Sequence, residues 1–261
     1  MNKTGEEPIL SLPERHNRIL ALLQQFGSIS VAQLAERFKV SEVTIRKDLS
    51  YLEQQKKLYR THGSAILISP YISDRHVNEK EKRNVAEKRA IGAFAASLIA
   101  QDDSIIIASG TTVTFLAREI NPAGHLTAIT ASVPVTQILS QCPDVDVIQL
   151  GGITRSSSVS VVGPFAEQML RSFNCSKLFI GVDGIDTEFG LTTTNISLNG
   201  AMIDAAQKVI VLADSSKFGR RGFSKICDLE SVDRIITDSG VQSVYLDRLR
   251  ERGIEVTVVD V

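Results

Sequence analysis

Arg46 and Lys47 stand side by side, and Arg60 and His62 follow them two residues apart. Guanidinium, ammonium and imidazole groups gathered on one surface are suited to DNA, because they pair with phosphates and with the acceptor atoms of guanine. A second set of residues suits a smaller anion. It comprises Ser109-Gly110-Thr111-Thr112, Thr130, Ser132, Gly151-Gly152, Asp183-Gly184, Asp186 and Lys217. Glycine lets a backbone approach a ligand closely, hydroxyls and free N–H groups surround a phosphate, and lysine neutralises it. Asp183 and Asp186 add acceptors for the hydroxyls of a sugar.

The first set needs a helix and a hairpin to present it. Ile19, Leu22, Leu23 and Phe26 repeat at helical spacing, as do Val31, Leu34, Ala35 and Phe38. Ser30 and Gln33 form a capping box at the start of the second helix, and Gly27 separates it from the first. Ser41 is placed to cap a third helix with a buried stripe of Ile45, Leu49 and Leu52. At 100° per residue, Val43, Arg46, Lys47 and Ser50 then face outward. Leu58–His62 and Ala65–Ile68 flank Gly63-Ser64 as a two-residue hairpin, which serves as a wing beside a recognition helix. The expected DNA contacts are therefore Ser41, Val43, Thr44, Arg46, Lys47 and Ser50 on the helix, with Arg60 and His62 on the hairpin.

The second set needs a parallel sheet. Apolar runs at 104–108, 126–130, 145–150, 177–180, 209–212, 234–237 and 255–259 alternate with helical patterns such as 113–120, 164–172 and 241–252. Continuous Ile/Val/Leu strands separated by helices indicate a doubly wound α/β domain whose ligands bind at the carboxyl ends of the strands. The polar, glycine-bearing segments lie at those ends. Between the two halves, residues 70–89 are dense in charges of both signs and read as a solvated linker. The expected organisation is a DNA-binding domain at 14–69, the linker at 70–89 and an α/β domain at 90–261.

Residues 1–70 carry ten Lys/Arg against seven Asp/Glu, and residues 71–261 carry nineteen against twenty-three. A basic head on an acidic body suits a DNA-reading module attached to a domain that does not touch DNA. The first residues are polar and acidic, without the apolar core of a secretory signal, and no apolar run approaches the roughly 20 residues of a membrane span. Cys142, Cys175 and Cys227 are widely separated. That spacing points away from a zinc site or a disulfide framework and towards a reducing cytoplasm, with no metal or cofactor expected.

The segment Val40-Ser41-Glu42-Val43-Thr44-Ile45-Arg46-Lys47-Asp48-Leu49, with Leu52-Glu53 and Leu58–Ala65, resembles the DNA-binding signature of the DeoR family of bacterial sugar-metabolism regulators. It departs from that signature at Lys47, where a second Arg is usual, and at Lys56 and Ser64, where Gly is usual. Ser109-Gly110-Thr111-Thr112, Leu150-Gly151-Gly152, 179–186, Gly190-Leu191-Thr192, 214–219 and 235–238 are similar to the family's sensor domain. Here Ala131 replaces a frequent Asn, and Asn195–Asn199 lacks a usual Glu-Ala pair. The resemblance implies a winged helix-turn-helix followed by a ribose-5-phosphate-isomerase-like α/β sensor. It also implies homo-oligomers that bind double-stranded operator DNA and repress a sugar-catabolism operon until a phosphorylated sugar releases them. The competing reading is an isomerase-like enzyme, in which Asp183, Asp186 and Lys217 would move protons on a sugar phosphate. The attached DNA-binding module makes catalysis unnecessary, so no enzyme is expected.

Overall fold

The computed structural model describes residues 11–26, 28–55, 57–61, 64–67, 77–194 and 198–261. They fall into two units that divide between residues 73 and 74. His62, Gly63, the first part of the expected linker and Asn195–Ser197 lie outside the described residues.

The N-terminal unit runs α1 (Leu12–Phe26), β1 (Ser28–Ser30), α2 (Val31–Phe38), α3 (Glu42–Gln54), β2 (Leu58–Thr61) and β3 (Ser64–Leu67). The capping box forms as the spacing predicts. Gln33 N–H donates to Ser30 Oγ at 3.1 Å, and Ser30 N–H donates to Gln33 Oε1 at 3.0 Å. Lys39 closes α2 in the left-handed region at φ 52, and Ser41 then caps α3 by accepting from Thr44 N–H at 3.2 Å. Ile19, Leu23, Leu34, Ile45, Leu49, Leu52 and Leu58 fill the space between helices and hairpin. Inside this small core Arg15 donates to both carboxylate oxygens of Asp48, at 2.6 and 3.1 Å, and His16 Nε2 lies 3.2 Å from Oδ1. The clasp ties α1 to α3, and its charges are buried in pairs, as burial requires. Thr61 pairs with Ser64 in the hairpin, so Ser64 belongs to a strand and not to the turn expected for it. The strand β1, which the sequence did not suggest, completes a three-stranded sheet in the order β1-β3-β2.

The C-terminal unit continues with α4 (Val77–Glu81), α5 (Val85–Ala96), β4 (Ser104–Ile107), α6 (Thr111–Glu119), β5 (Leu126–Thr130), α7 (Val133–Leu139) and β6 (Val145–Gln149). A hairpin of β7 (Ile153–Arg155) and β8 (Ser160–Val162) precedes α8 (Pro164–Leu170). Next come β9 (Lys177–Gly181), β10 (Gly184–Asp186), β11 (Gly190–Thr193), α9 (Asn199–Asp204) and β12 (Val209–Leu212). The chain ends with β13 (Ser224–Cys227), β14 (Arg234–Asp238), α10 (Ser243–Glu251) and β15 (Glu255–Val259). The seven apolar runs read from the sequence are the seven strands of one parallel sheet, in the order β15-β14-β12-β9-β4-β5-β6.

Alternate residues of each strand enter the two cores, Ile105 and Ile107 on one face and Ile106 on the other. On the first face α5 crosses α6 at Gly92, where a Cβ would meet the Leu116 nitrogen at 2.8 Å. Only glycine permits that approach. The region expected as linker is in part structured: residues 77–81 form α4 and residues 85–89 begin α5 within the C-terminal unit. Lys80, Glu81 and Lys88 are paired within the fold, while Lys82, Arg83 and Arg89 are exposed.

Thr237 lies fully buried in β14, and its hydroxyl has no hydrogen-bond partner among the described residues. An unsatisfied buried hydroxyl is costly, and valine has nearly the same shape without it. Thr237→Val is expected to stabilise the chain by about 1 kcal/mol, measured as a higher urea midpoint at unchanged slope.

Candidate functional site

The chain builds β4, β5 and β6 outward in one direction, then returns to place β9 on the other side of β4. This reversal is a topological switch point at the carboxyl ends of β4 and β9, the place where open α/β sheets bind ligands. Ser109 and Gly110 follow β4, and Gly110 stands at φ 137 before α6 with no side chain capping the helix. The first-turn N–H groups of α6, flanked by Thr111 and Thr112, thus form an end suited to an anion.

Asp183 follows β9 directly. It accepts from Lys80 Nζ at 2.9 Å, from Thr194 N–H and Oγ at 2.9 Å and from Thr193 Oγ at 3.2 Å. Burial alone would raise its pKa. The ammonium groups of Lys80 and Lys217, together with those hydrogen bonds, outweigh burial and hold the carboxyl at about 2.

Asp214 follows β12 and is buried. It accepts from Asn84 Nδ2 at 2.8 Å, from Ser216 N–H at 3.1 Å and from the Ser216 hydroxyl. Burial opposes its charge too, but Lys217, Ser216, Asn84 and Lys88 together leave its pKa below the ordinary carboxylate value. Asn84 reaches it from a left-handed conformation, φ 50, at the start of α5; asparagine tolerates that region better than most residues. Lys88, only 4% exposed, donates to the carbonyls of Lys80 and Arg83 at the end of α4. Burial pushes its pKa down, while the charge of Asp214 opposes that shift.

Three lysines and two carboxylates therefore act on one another at the β9 and β12 ends, on the same edge of the sheet as the start of α6. Such a group can neutralise a phosphate with its cations and accept from hydroxyls with its carboxylates.

Of the residues expected at this site, Ser109, Gly110, Thr111, Thr112, Asp183 and Lys217 lie on the β4, β9 and β12 ends. The others serve the scaffold around it. Thr130 donates to the Ile107 carbonyl at 2.7 Å, and Ser132 caps α7. Gly152, at φ 150, allows the β7–β8 hairpin to close where a Cβ would meet the Val162 carbonyl oxygen at 2.8 Å, and Gly151 is exposed beside it. Gly184 fits against the Arg220 carbonyl, where a Cβ would be 2.4 Å from its oxygen. Asp186 is occupied by Arg221 at 2.6 and 3.1 Å and by the N–H groups of Glu188 and Phe189. Lys80, Asn84, Lys88 and Asp214 were missed. The first three lie in the stretch whose mixed charges looked solvated. Their spacing over two short helices was the available signal.

In the N-terminal unit Val43, Arg46, Lys47, Ser50, Tyr51 and Gln54 share one open face of α3. The four expected outward residues are among them; Tyr51 and Gln54 were not foreseen. Ser41 and Thr44 form the helix cap, with their hydroxyls 2.9 Å apart. Arg46 pairs with Glu42 at 2.8 Å on the exposed face. Arg60 turns back onto α3, donating to Glu53 Oε2 at 2.7 Å and Ser50 Oγ at 2.6 Å. It braces the hairpin against the helix. His62 lies outside the described residues.

A helix-turn-helix unit whose third helix presents Arg46 and Lys47 outward, followed by an α/β unit with charged, glycine-bearing strand ends, defines a DNA-binding regulator with a sensor domain. The profile of the DeoR-like helix-turn-helix domain matches residues 15–71, and that of the DeoR C terminal sensor domain matches residues 83–239. The chain belongs to the DeoR family of transcriptional regulators. It is 38% identical over 249 residues to the HTH-type transcriptional regulator YulB of Bacillus subtilis, covering 94% of this chain and 96% of that protein. It is 36% identical over 262 residues to a putative aga operon transcriptional repressor of Escherichia coli, covering 98% and 97%. It is also 36% identical over 231 residues to the lactose phosphotransferase system repressor of Streptococcus mutans, covering 86% and 91%. Ribose 5-phosphate isomerase A of Methanocaldococcus jannaschii overlaps 54% of this chain and 55% of its own, at 16% identity and a TM-score of 0.35, too slight a likeness to bear on function.

Asp183 stabilises the folded state because its folded pKa, about 2, lies below its ordinary 3.8. That contribution, of order 2 kcal/mol, is complete above about pH 4 and is lost as pH falls towards 2. Denaturant titrations between pH 6 and 2.5 are expected to show this loss, and Asp183→Asn is expected to lack it. On DNA, Lys47→Ala is expected to flatten the slope of log affinity against log salt by about 0.9, as one lost phosphate contact does. Arg60→Ala is expected to weaken binding with a smaller change in slope, because Glu53 already balances its charge. Equal slope changes would assign Arg60 to phosphate.

Proposed function

We propose that this regulator represses a sugar-catabolism operon by holding operator DNA with α3 and the wing, and that a phosphorylated sugar at the β4–β9–β12 strand ends releases it. The observation that carries the proposal is the ion pair of Lys80 with Asp183, with the charges of Lys217 and Lys88 acting on Asp183 and Asp214, on the sheet edge where α6 begins without a side-chain cap. In this reading the lysines and Ser109–Thr112 take the phosphate, and the carboxylates take sugar hydroxyls. The names of the aga operon and lactose phosphotransferase system repressors support repression as the mode of action. The regulator acts in the cytoplasm as a homo-oligomer, since helix-turn-helix proteins read paired half-sites through two-fold symmetry. Among the described residues no helix is long and apolar enough to cross a membrane.

These strand ends favour binding over catalysis. A general base works best with a pKa near the working pH, and a carboxyl held at about 2 is a poor one. Asp186, the other candidate base, is committed to Arg221 and to its turn.

Release follows from competition for the same cations. Residues 68–76 lead in the chain from β3 to α4, and α4 is held by Lys80 on Asp183 and by Lys88 on its last carbonyls. A phosphate that draws Lys80 from Asp183 and Lys88 from those carbonyls loosens the hold on α4. Converting a population from 99:1 to 1:99 needs about a 10⁴-fold difference in effector affinity between the two states.

Gel shifts with a panel of sugar phosphates test the proposal. Lys217→Ala is expected to bind DNA like the parent chain and to lose the response. A response at unchanged effector concentration would place Lys217 outside the site. Calorimetry of the effector on free and on DNA-saturated protein is expected to show weaker binding in the second case by the same factor that effector weakens DNA. Equal affinities would rule out effector-driven release.

A further inference from the structure

Val43 is the second residue of α3 and is 61% exposed, while the other aliphatic residues of that helix, Ile45, Leu49 and Leu52, are buried. It shares one open face of α3 with Arg46, Lys47, Ser50, Tyr51 and Gln54. An exposed valine among groups that hydrogen-bond is the exception on this face. It stands near the end of the helix from which recognition helices reach base edges.

The neighbouring polar groups are already arranged around it. Arg46 is held by Glu42 at 2.8 Å, and Ser50 Oγ donates to the Arg46 carbonyl at 2.7 Å while accepting from Arg60 at 2.6 Å. The depth and tilt of the surface are thereby set before DNA arrives. Valine in a helix holds essentially one χ1 rotamer, so its methyl groups are fixed as well.

Major-groove base edges present donors and acceptors, with one apolar exception, the C5-methyl of thymine. Over guanine, adenine or cytosine a valine would strip water from a polar atom and return no hydrogen bond. Over thymine it meets a group of its own kind. We propose that Val43 is a specificity-determining residue that packs on the C5-methyl of one thymine in each half-site. The proposal rests on α3 entering the major groove of operator DNA.

The test begins with duplexes selected by the full chain from a random-sequence pool. In a selected duplex each dT is replaced singly by dU, which removes only the methyl group. Affinities are measured at fixed salt for the parent chain and for Val43→Ala. One dT→dU position per half-site is expected to weaken the parent about fourfold, the worth of about 0.8 kcal/mol for one buried methyl-sized group. The same position is expected to leave Val43→Ala unaffected. Because the Val43 side chain is exposed, the variant is expected to melt with the parent. If every dU duplex binds the parent normally, or if the loss persists undiminished in Val43→Ala, the assignment is overturned. If the pool enriches no duplex, the DNA reading itself fails, and this inference fails with it.

Discussion

The sensor unit is organised by the cost of burying Asp214 and of half-burying Asp183. Both follow strands of a sheet that is covered on its two faces, so the chain delivers both carboxylates to a partly dry edge. A buried charge needs a partner, and here the partners come from three places: Lys80 from α4, Lys88 from α5 and Lys217 from the turn after β12. Satisfying the two aspartates thus draws two short helices onto the strand ends. The same cations are the groups an incoming phosphate would seek. In the proposed function, the charges that stabilise this edge are also those that answer the ligand.

The N-terminal unit solves a different problem. Its core is small, and a recognition helix must be held firmly enough to present a defined surface. The Arg15–Asp48–His16 clasp fixes α3 against α1 from the inner side, and His16 stacks on Tyr51 at 5.0 Å. Arg60 fixes the hairpin to α3 from the outer side through Glu53 and Ser50. Charged groups that look available for DNA in a linear sequence are here divided between holding the helix and facing outward.

Periodicity carried a great deal. All seven strands of the parallel sheet, the capping box at Ser30, the cap at Ser41 and the outward set Val43, Arg46, Lys47 and Ser50 follow from spacing alone. These features are local, because a helix or a buried strand declares itself within a few residues. The β7–β8 hairpin and the small sheet of β10, β11 and β13 were not visible in this way, since strands of three or four residues are too short to show a period.

By itself the sequence determined the class of the protein: a basic helix-turn-helix joined to a doubly wound sheet with polar strand ends. It also named Asp183, Lys217 and the Ser109–Thr112 loop. The tertiary structure alone decided which charges meet. Lys80 and Asp183 are more than one hundred residues apart in the chain, as are Asn84 and Asp214, yet each pair is within hydrogen-bond distance. Conversely, Asp186 looks like a ligand group in the sequence but is taken by Arg221. Coulombic attraction falls with distance through space, and the strand-order reversal between β4 and β9 sets those distances.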